Sequence, residues 1–425
     1  MKSSPCAIRS LLTASFVVWA FPGLLAATLT WDQPNANNNW NTVDANWSGA
    51  VVFANGDDAV FDSATGETVT VDAGGVSPLS TTISNNGAWA FTGGAISGTL
   101  TKGGTGTLTL DSANSFSSVA VNGGNITLGN VGGLGAGTLT MGTGVSTGTP
   151  ATAALVATSL ASGANITNAI VLPSDVSAAN RGLYMSGAAN HTLEFSGLIS
   201  GGSANTTLYL NNDTSGSTTP QFRLSNASNS FLATININRG GLQIDSNGAL
   251  GNAANTVVFN SNNGAALTFN NAMTYTHATT LTTATVFATG ANNVTASGVI
   301  GGAANLTKTG SGTLLLSNAN TNSGTKILQE GTLEVSNSNA LGSSGAVTIG
   351  NASSGAANLS LYLTNNRTSI ARAITISNLA TGTVTLGSRA SIGGSGDDNQ
   401  FTNIVLQRDV VFDSNAADRT DYENI

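Results

Sequence analysis

Six carboxylates stand between residues 112 and 390: Asp175, Glu194, Asp213, Asp245, Glu330 and Glu334. Cleaving a glycosidic bond needs two such groups flanking one bond. Only Glu330 and Glu334 are close in sequence, and four residues apart in a strand-and-turn context they have no reason to converge. His191 and His277, in HTLEF and HATTL, read as exposed or half-exposed strand residues. A zinc site needs three or four ligands, and the one cysteine, Cys6, lies in the first residues. No G-x-S-x-G elbow and no phosphate-binding Gly-rich loop occurs. GGSGDDNQF at 393–401 partly fits the calcium nonapeptide: Gly393, Gly394, Gly396 and Asp398 match, while Gln400 takes the apolar position. Such sites share ligands between stacked copies, so one copy does not complete one. Asp57, Asp58 and Asp62 read as a solvated turn. The expectation is a non-enzyme without catalytic, cofactor or metal residues.

Aromatic residues crowd the start: Trp31, Trp40, Trp47, Phe53, Phe61, Trp89 and Phe91 all precede residue 92. Trp40 and Trp47 are candidate ligand-facing rings for stacking on a sugar. The competing reading, preferred here, is a hydrophobic plug over the open end of a coiled fold, which solenoids require.

The elements that would position these groups are short strands. Apolar residues come as triplets such as LTL and VTV separated by turn residues, and charged residues are only 8%. Disorder is disfavoured because β-branched residues and leucine recur throughout. Residues 306–318 read LTKTGSGTLLLSN, and residues 100–112 read LTKGGTGTLTLDS. Leu100, Thr101, Lys102, Gly104, Gly106, Thr107, Leu108 and Leu110 match Leu306, Thr307, Lys308, Gly310, Gly312, Thr313, Leu314 and Leu316. Ala113, Asn114 and Ser117 match Ala319, Asn320 and Ser323. After a one-residue slip, Gly124, Ile126, Leu134 and Gly135 match Gly331, Leu333, Leu341 and Gly342. A degenerate copy covers 222–251. Each unit spans about 90–120 residues, a scale that points to an array.

LTKTGSGTLLLSNANTNSGTKILQEGTLEVSNSNALG resembles the autotransporter-associated beta strand repeat, the passenger-associated transport repeat of bacterial surface proteins. The resemblance covers 298–342 and 98–135, and faintly 222–251. TLTWDQPNANNNWNTVDANWSG at 28–49 is similar to the usual start of such chains. The resemblance implies a secreted, elongated, right-handed parallel β-helix, usually on the cell surface.

The residues support that fold independently. In GTLTL, Leu108 and Leu110 face one way and Thr107 and Thr109 the other. Coiling lets each strand pair above and below, so its backbone groups are satisfied. Gly and Asn make the corners, Asn can stack in ladders, and Lys102 or Lys308 reads as a corner residue with its stem on apolar surface. Rungs of about 20–25 residues would give on the order of 16–20 rungs and a rod of roughly 80–95 Å.

Lys2, Arg9, the apolar stretch 11–25 and Ala26-Ala27 have the layout of a signal peptide over 1–27. The expected organisation is then a cap with first rungs over 28–92 and a β-helix over 93–425, truncated at its C-terminal side. Without the leader, 11 basic residues face 21 acidic ones, which argues against nucleic acid and anionic lipid. No apolar run for a membrane span follows the leader. The reading is an exported, non-catalytic, adhesin-like shaft, extracellular or on the outer surface, meeting a glycan or protein and open to end-to-end self-association. The alternative is a carbohydrate-binding or polysaccharide-degrading coil.

Overall fold

A computed structural model describes residues 26–32, 37–142, 154–157, 160–174, 179–184, 191–210, 221–260, 263–365, 368–389, 399–414 and 420–425. The leader apart from Ala26 and Ala27, Asp175, Asp213 and residues 393–398 of the calcium-like segment lie outside them.

The chain forms a parallel β-helix. Every strand pairing between named strands is parallel, and each strand lies in register with one that comes a full rung later. The rungs stack into sheets of nineteen, eleven, seven and three strands. The nineteen-stranded sheet joins two faces through one bent strand, Ile199–Leu210, which pairs with Ile170–Leu172 at its start and with Ala179–Tyr184 further on. Roughly 17 rungs at about 4.8 Å make a shaft of roughly 80 Å.

Alternation inside each strand explains why the chain coils. In Thr107–Leu110 the two leucines are buried and the two threonines half-buried. Thr313–Leu316 shows the same pattern. The inward residues form one continuous apolar core along the shaft, where each buried Leu, Ile or Val contributes about 1.5–3 kcal/mol. No rung buries its own inner face alone, so stability belongs to neighbouring rungs together.

The repeating element is the rung rather than a unit of 90–120 residues. Thr107 pairs with Asn125 after 18 residues, whereas Ser369 pairs with Gln400 after 31. The difference is taken up in the corners, so sequence copies separated by longer rungs drift out of phase while strands stay in register.

Two of the repeat's glycines are demanded by this stacking. Gly331 has φ +73°, and a Cβ there would lie 2.4 Å from the Gly310 oxygen of the rung before. Gly342 has φ +90°, and a Cβ would lie 1.9 Å from the Asn322 oxygen. A side chain is excluded by backbone conformation and by the adjacent rung at once.

Candidate functional site

The early aromatics form one buried cluster across the first rungs. Trp40 and Trp47 are both 0% exposed. Trp40 packs against Trp47, Phe53, Phe61 and Phe91 with ring centroids 5.2–5.8 Å apart. Trp47 and Val51 close the segment by antiparallel bridges, with Trp31 on the other side of Trp47. Neither indole offers a face to a sugar, which corrects the expectation that Trp40 or Trp47 faces a ligand. The reason is local: the segment folds back across the first rungs and encloses its own rings.

The histidines divide. His191 is half-buried. His277 is fully buried, contrary to the expectation for both, at a corner between the strands Met273–Tyr275 and Ala278–Leu281. Its Nδ1 lies 3.2 Å from the Asn255 carbonyl oxygen and its Nε2 3.3 Å from that of Asn247. The buried Tyr275 hydroxyl bonds to Thr279 at 2.6 Å, and burial raises its pKa. Both rings belong to the wall of the coil.

The lysines depart furthest from expectation. Lys102, Lys308 and Lys326 are 0%, 1% and 3% exposed. Each occupies an inward position of its strand and turns its ammonium into the corner. Lys308 Nζ donates to the carbonyls of Thr309 (3.0 Å) and Gly310 (2.6 Å), and to Glu330 (3.0 Å) on the next rung. Lys326 Nζ donates to Asn322 (2.9 Å), Gly324 (2.6 Å) and, more loosely, Ser344 of the next rung (3.4 Å). Lys102 does the same with Gly103 and, at 3.5 Å, Gly123. Burial lowers the pKa of each to about 8; the Glu330 charge opposes that fall at Lys308, and the Arg372 charge adds to it at Lys326. Below that pH the ammonium is charged, and the carbonyls are what make a buried charge tolerable. The signal was in the strand parity: in Leu306-Thr307-Lys308 the lysine shares the inward phase of Leu306.

Asparagines act in the same way at other corners. Asn114 Oδ1 accepts from Ile96 N at 2.9 Å, and its Nδ2 donates to Gly133 O at 2.9 Å. Asn320 bonds Ile300 N (2.7 Å) and Ala340 O (2.6 Å). Asn229, in the degenerate copy, bonds Ile199 N and Ala249 O, both at 2.8 Å. One amide thus links three successive rungs; direct asparagine-on-asparagine contact between rungs also occurs, with Asn260 donating to Asn236 Oδ1 at 2.7 Å.

Carboxylates converge where sequence gave no hint. Arg223 bonds Glu194 of the rung before at 3.2 Å and Asp245 of the rung after at 2.7 Å. Burial opposes the charged form of Asp245, but hydrogen bonds from Arg223 and Asn270 and the Arg223 charge outweigh it, so its carboxyl stays below the usual range. A carboxylate so engaged is a poor base. Glu330 and Glu334 do separate work: Glu330 Oε2 accepts from Gly310 N at 2.9 Å, while Glu334 pairs with Arg389 at 2.7 Å. Arg389 lies 3.8 Å over the Tyr362 ring, and the Tyr362 hydroxyl donates to Asp413 at 3.1 Å. Asp57 and Asp58 hold the backbone of Ala27 and Ala54 and the hydroxyl of Ser80. Among the described residues, no group of three His, Cys, Asp or Glu side chains is arranged to hold a metal.

The stretch from the lysine strand through the asparagine corner to the next Gly-led strand therefore recurs as one physical device. Two stretches of this chain, 100–128 and 306–335, match the family described as Passenger-associated-transport-repeat. Transport repeats of this family occur in autotransporter passengers. Each match contains one caged lysine, Lys102 or Lys308, and one bridging asparagine, Asn114 or Asn320. Comparison with curated proteins and with solved structures finds no match. No helix among the described residues is long and apolar enough to cross a membrane.

Proposed function

We propose that this chain is an exported, non-catalytic passenger: a shaft that holds its outer surface away from the cell. The transport repeats support the export class. The observation that carries the structural reading is how the polar groups are employed. Lys102, Lys308 and Lys326 hold carbonyls of successive rungs, and Arg223 holds Glu194 and Asp245. Arg389 holds Glu334 and covers Tyr362. Side chains that serve catalysis elsewhere are committed here to pinning rungs. An adhesive role follows from the same surface, which is long, polar and weakly charged.

Two experiments test this. An antibody raised against the folded shaft should label intact producing cells, or the protein should be found in the medium. Confinement to the cytoplasmic fraction would sink the export reading. Incubation with soluble polysaccharides should release neither reducing ends nor unsaturated products, and turnover of either kind would overturn the non-catalytic reading.

A further inference from the structure

Rung length changes abruptly within the second repeat. Thr313 pairs with Thr332 after 19 residues, but Thr332 pairs with Ser360 only after 28. Most of the additional residues lie in the loop between the strands Val347–Ile349 and Leu359–Leu363, which ends at Asn358. At this step opens a cleft of about 360 Å³ lined by Ser311, Glu330, Thr332, Ala357, Asn358 and Ser360. Its volume falls at the small end of ligand sites.

We propose that this cleft binds a neutral saccharide of one or two residues. Three hydroxyl residues line it, and among the described residues Ser311, Thr332 and Ser360 give their side chains no hydrogen-bond partner. Some hydroxyls elsewhere are turned back onto the shaft: Ser112 donates to Gly93 O at 2.7 Å, Ser117 to Gly98 O at 3.0 Å, and Ser343 to Thr321 O at 2.9 Å; outward threonines such as Thr107 and Thr313, like Thr332, keep theirs turned outward. Thr332 and Ser360 sit side by side on adjacent strands, about 4.8 Å apart, a spacing that suits two hydroxyls of one sugar ring. Glu330 is oriented by Gly310 N through Oε2, which leaves Oε1 as an acceptor. The Asn358 Oδ1 accepts from Thr383 N at 3.0 Å, which leaves its NH2 as a donor. Donors and acceptors are thus both present, as a polyol requires.

Charge selects within that class. No cationic side chain lines the cleft, so an anionic sugar would bring a charge without a partner. The one carboxylate, Glu330, has the Lys308 ammonium at its own backbone carbonyl, 3.0 Å away. That positive charge offsets the field a cationic ligand would need. Neutral hydroxyls lose nothing by this balance. Ala357 supplies the small apolar wall against which ring C–H groups can rest.

The test is saturation-transfer difference NMR on the full chain. The probes are methyl β-glucoside, methyl β-galactoside, methyl N-acetyl-β-glucosaminide and their β-1,4-linked disaccharides, with glucosamine and glucuronate as charged controls. At least one neutral probe should receive saturation. Thr332→Val and Ser360→Ala should each weaken its binding about fivefold, with the thermal transition unchanged. Ser311→Glu, at an exposed position on the rung before Thr332, lies outside both strands and should also reduce binding. Absence of transfer to every neutral probe at tens of millimolar would overturn the proposal. So would transfer that persists undiminished in all three variants, or binding confined to glucosamine or glucuronate.

Discussion

Lys308→Met tests the central physical claim. Methionine keeps an unbranched stem of similar length and removes the ammonium. Three carbonyl oxygens, at 3.0, 2.6 and 3.0 Å, lose a charged donor. Hydrogen bonds to charged groups are worth about 1.5–3 kcal/mol each, and a buried acceptor left bare costs about 1–3 kcal/mol. The substitution also relieves a penalty. The fall of the lysine pKa from 10.5 to about 8 corresponds to roughly 3 kcal/mol of desolvation at about 1.36 kcal/mol per unit. The corner is partly open to water, which recovers a further share of the lost bonds. The net expectation is a loss of about 2–4 kcal/mol, confined to the rungs that the ammonium joins. Hydrogen exchange read by mass spectrometry resolves this, because solenoid rungs open locally. Peptides spanning 303–335 should exchange about 30- to 1,000-fold faster, while peptides around Lys102 should not change. If 303–335 exchanges at the wild-type rate or more slowly, the lysine is only an apolar stem, and the cage contributes nothing.

The same cages set a pH response. In the folded chain the three amines lose protons near pH 8, and in the unfolded chain near 10.4. Below pH 8 both states hold the proton and these lysines leave stability flat; from pH 8 to about 10 the unfolded state holds more protons, so stability should rise with pH, by less than about 1 kcal/mol per pH unit per lysine once solvent screening is discounted. A urea midpoint that falls over this window, before the raised tyrosines titrate, would refute the assignment. The folded chain should also resist amine-reactive esters at pH 7 at Lys102, Lys308 and Lys326, and become labelled there only in denaturant. Asn320→Ala takes the acceptor from Ile300 N and the donor from Ala340 O, and should lower stability by about 2–4 kcal/mol; Asn320→Asp, which keeps only the acceptor, should lie nearer Ala than wild type in a denaturant titration. Gly342→Ala meets the Asn322 oxygen and a positive φ together, and should cost more than about 3 kcal/mol, seen as loss of protection from Leu341 into the rungs beside it.

What the sequence determined by itself is the coil. Alternation in GTLTL and GTLLL fixes which side chains face inward, and the glycine-flanked corners leave each strand with unpaired edges that only another rung can satisfy. The strand parity that buries Leu306 also buries Lys308, so the caged lysines were legible to anyone who trusted the period over the charge. The aromatic cluster was legible in the sequence, although its closure over Trp40 and Trp47 depended on the fold-back through Trp47 and Val51. The tertiary structure alone decided the contacts between rungs. Arg223 meets Glu194 because that rung takes 29 residues, and it meets Asp245 because the next takes 20 between paired strands. Those lengths reside in corners whose conformation depends on the backbone of the rungs on either side. Period two specifies a face along one strand; it carries no information about how many residues pass before the chain returns to that face.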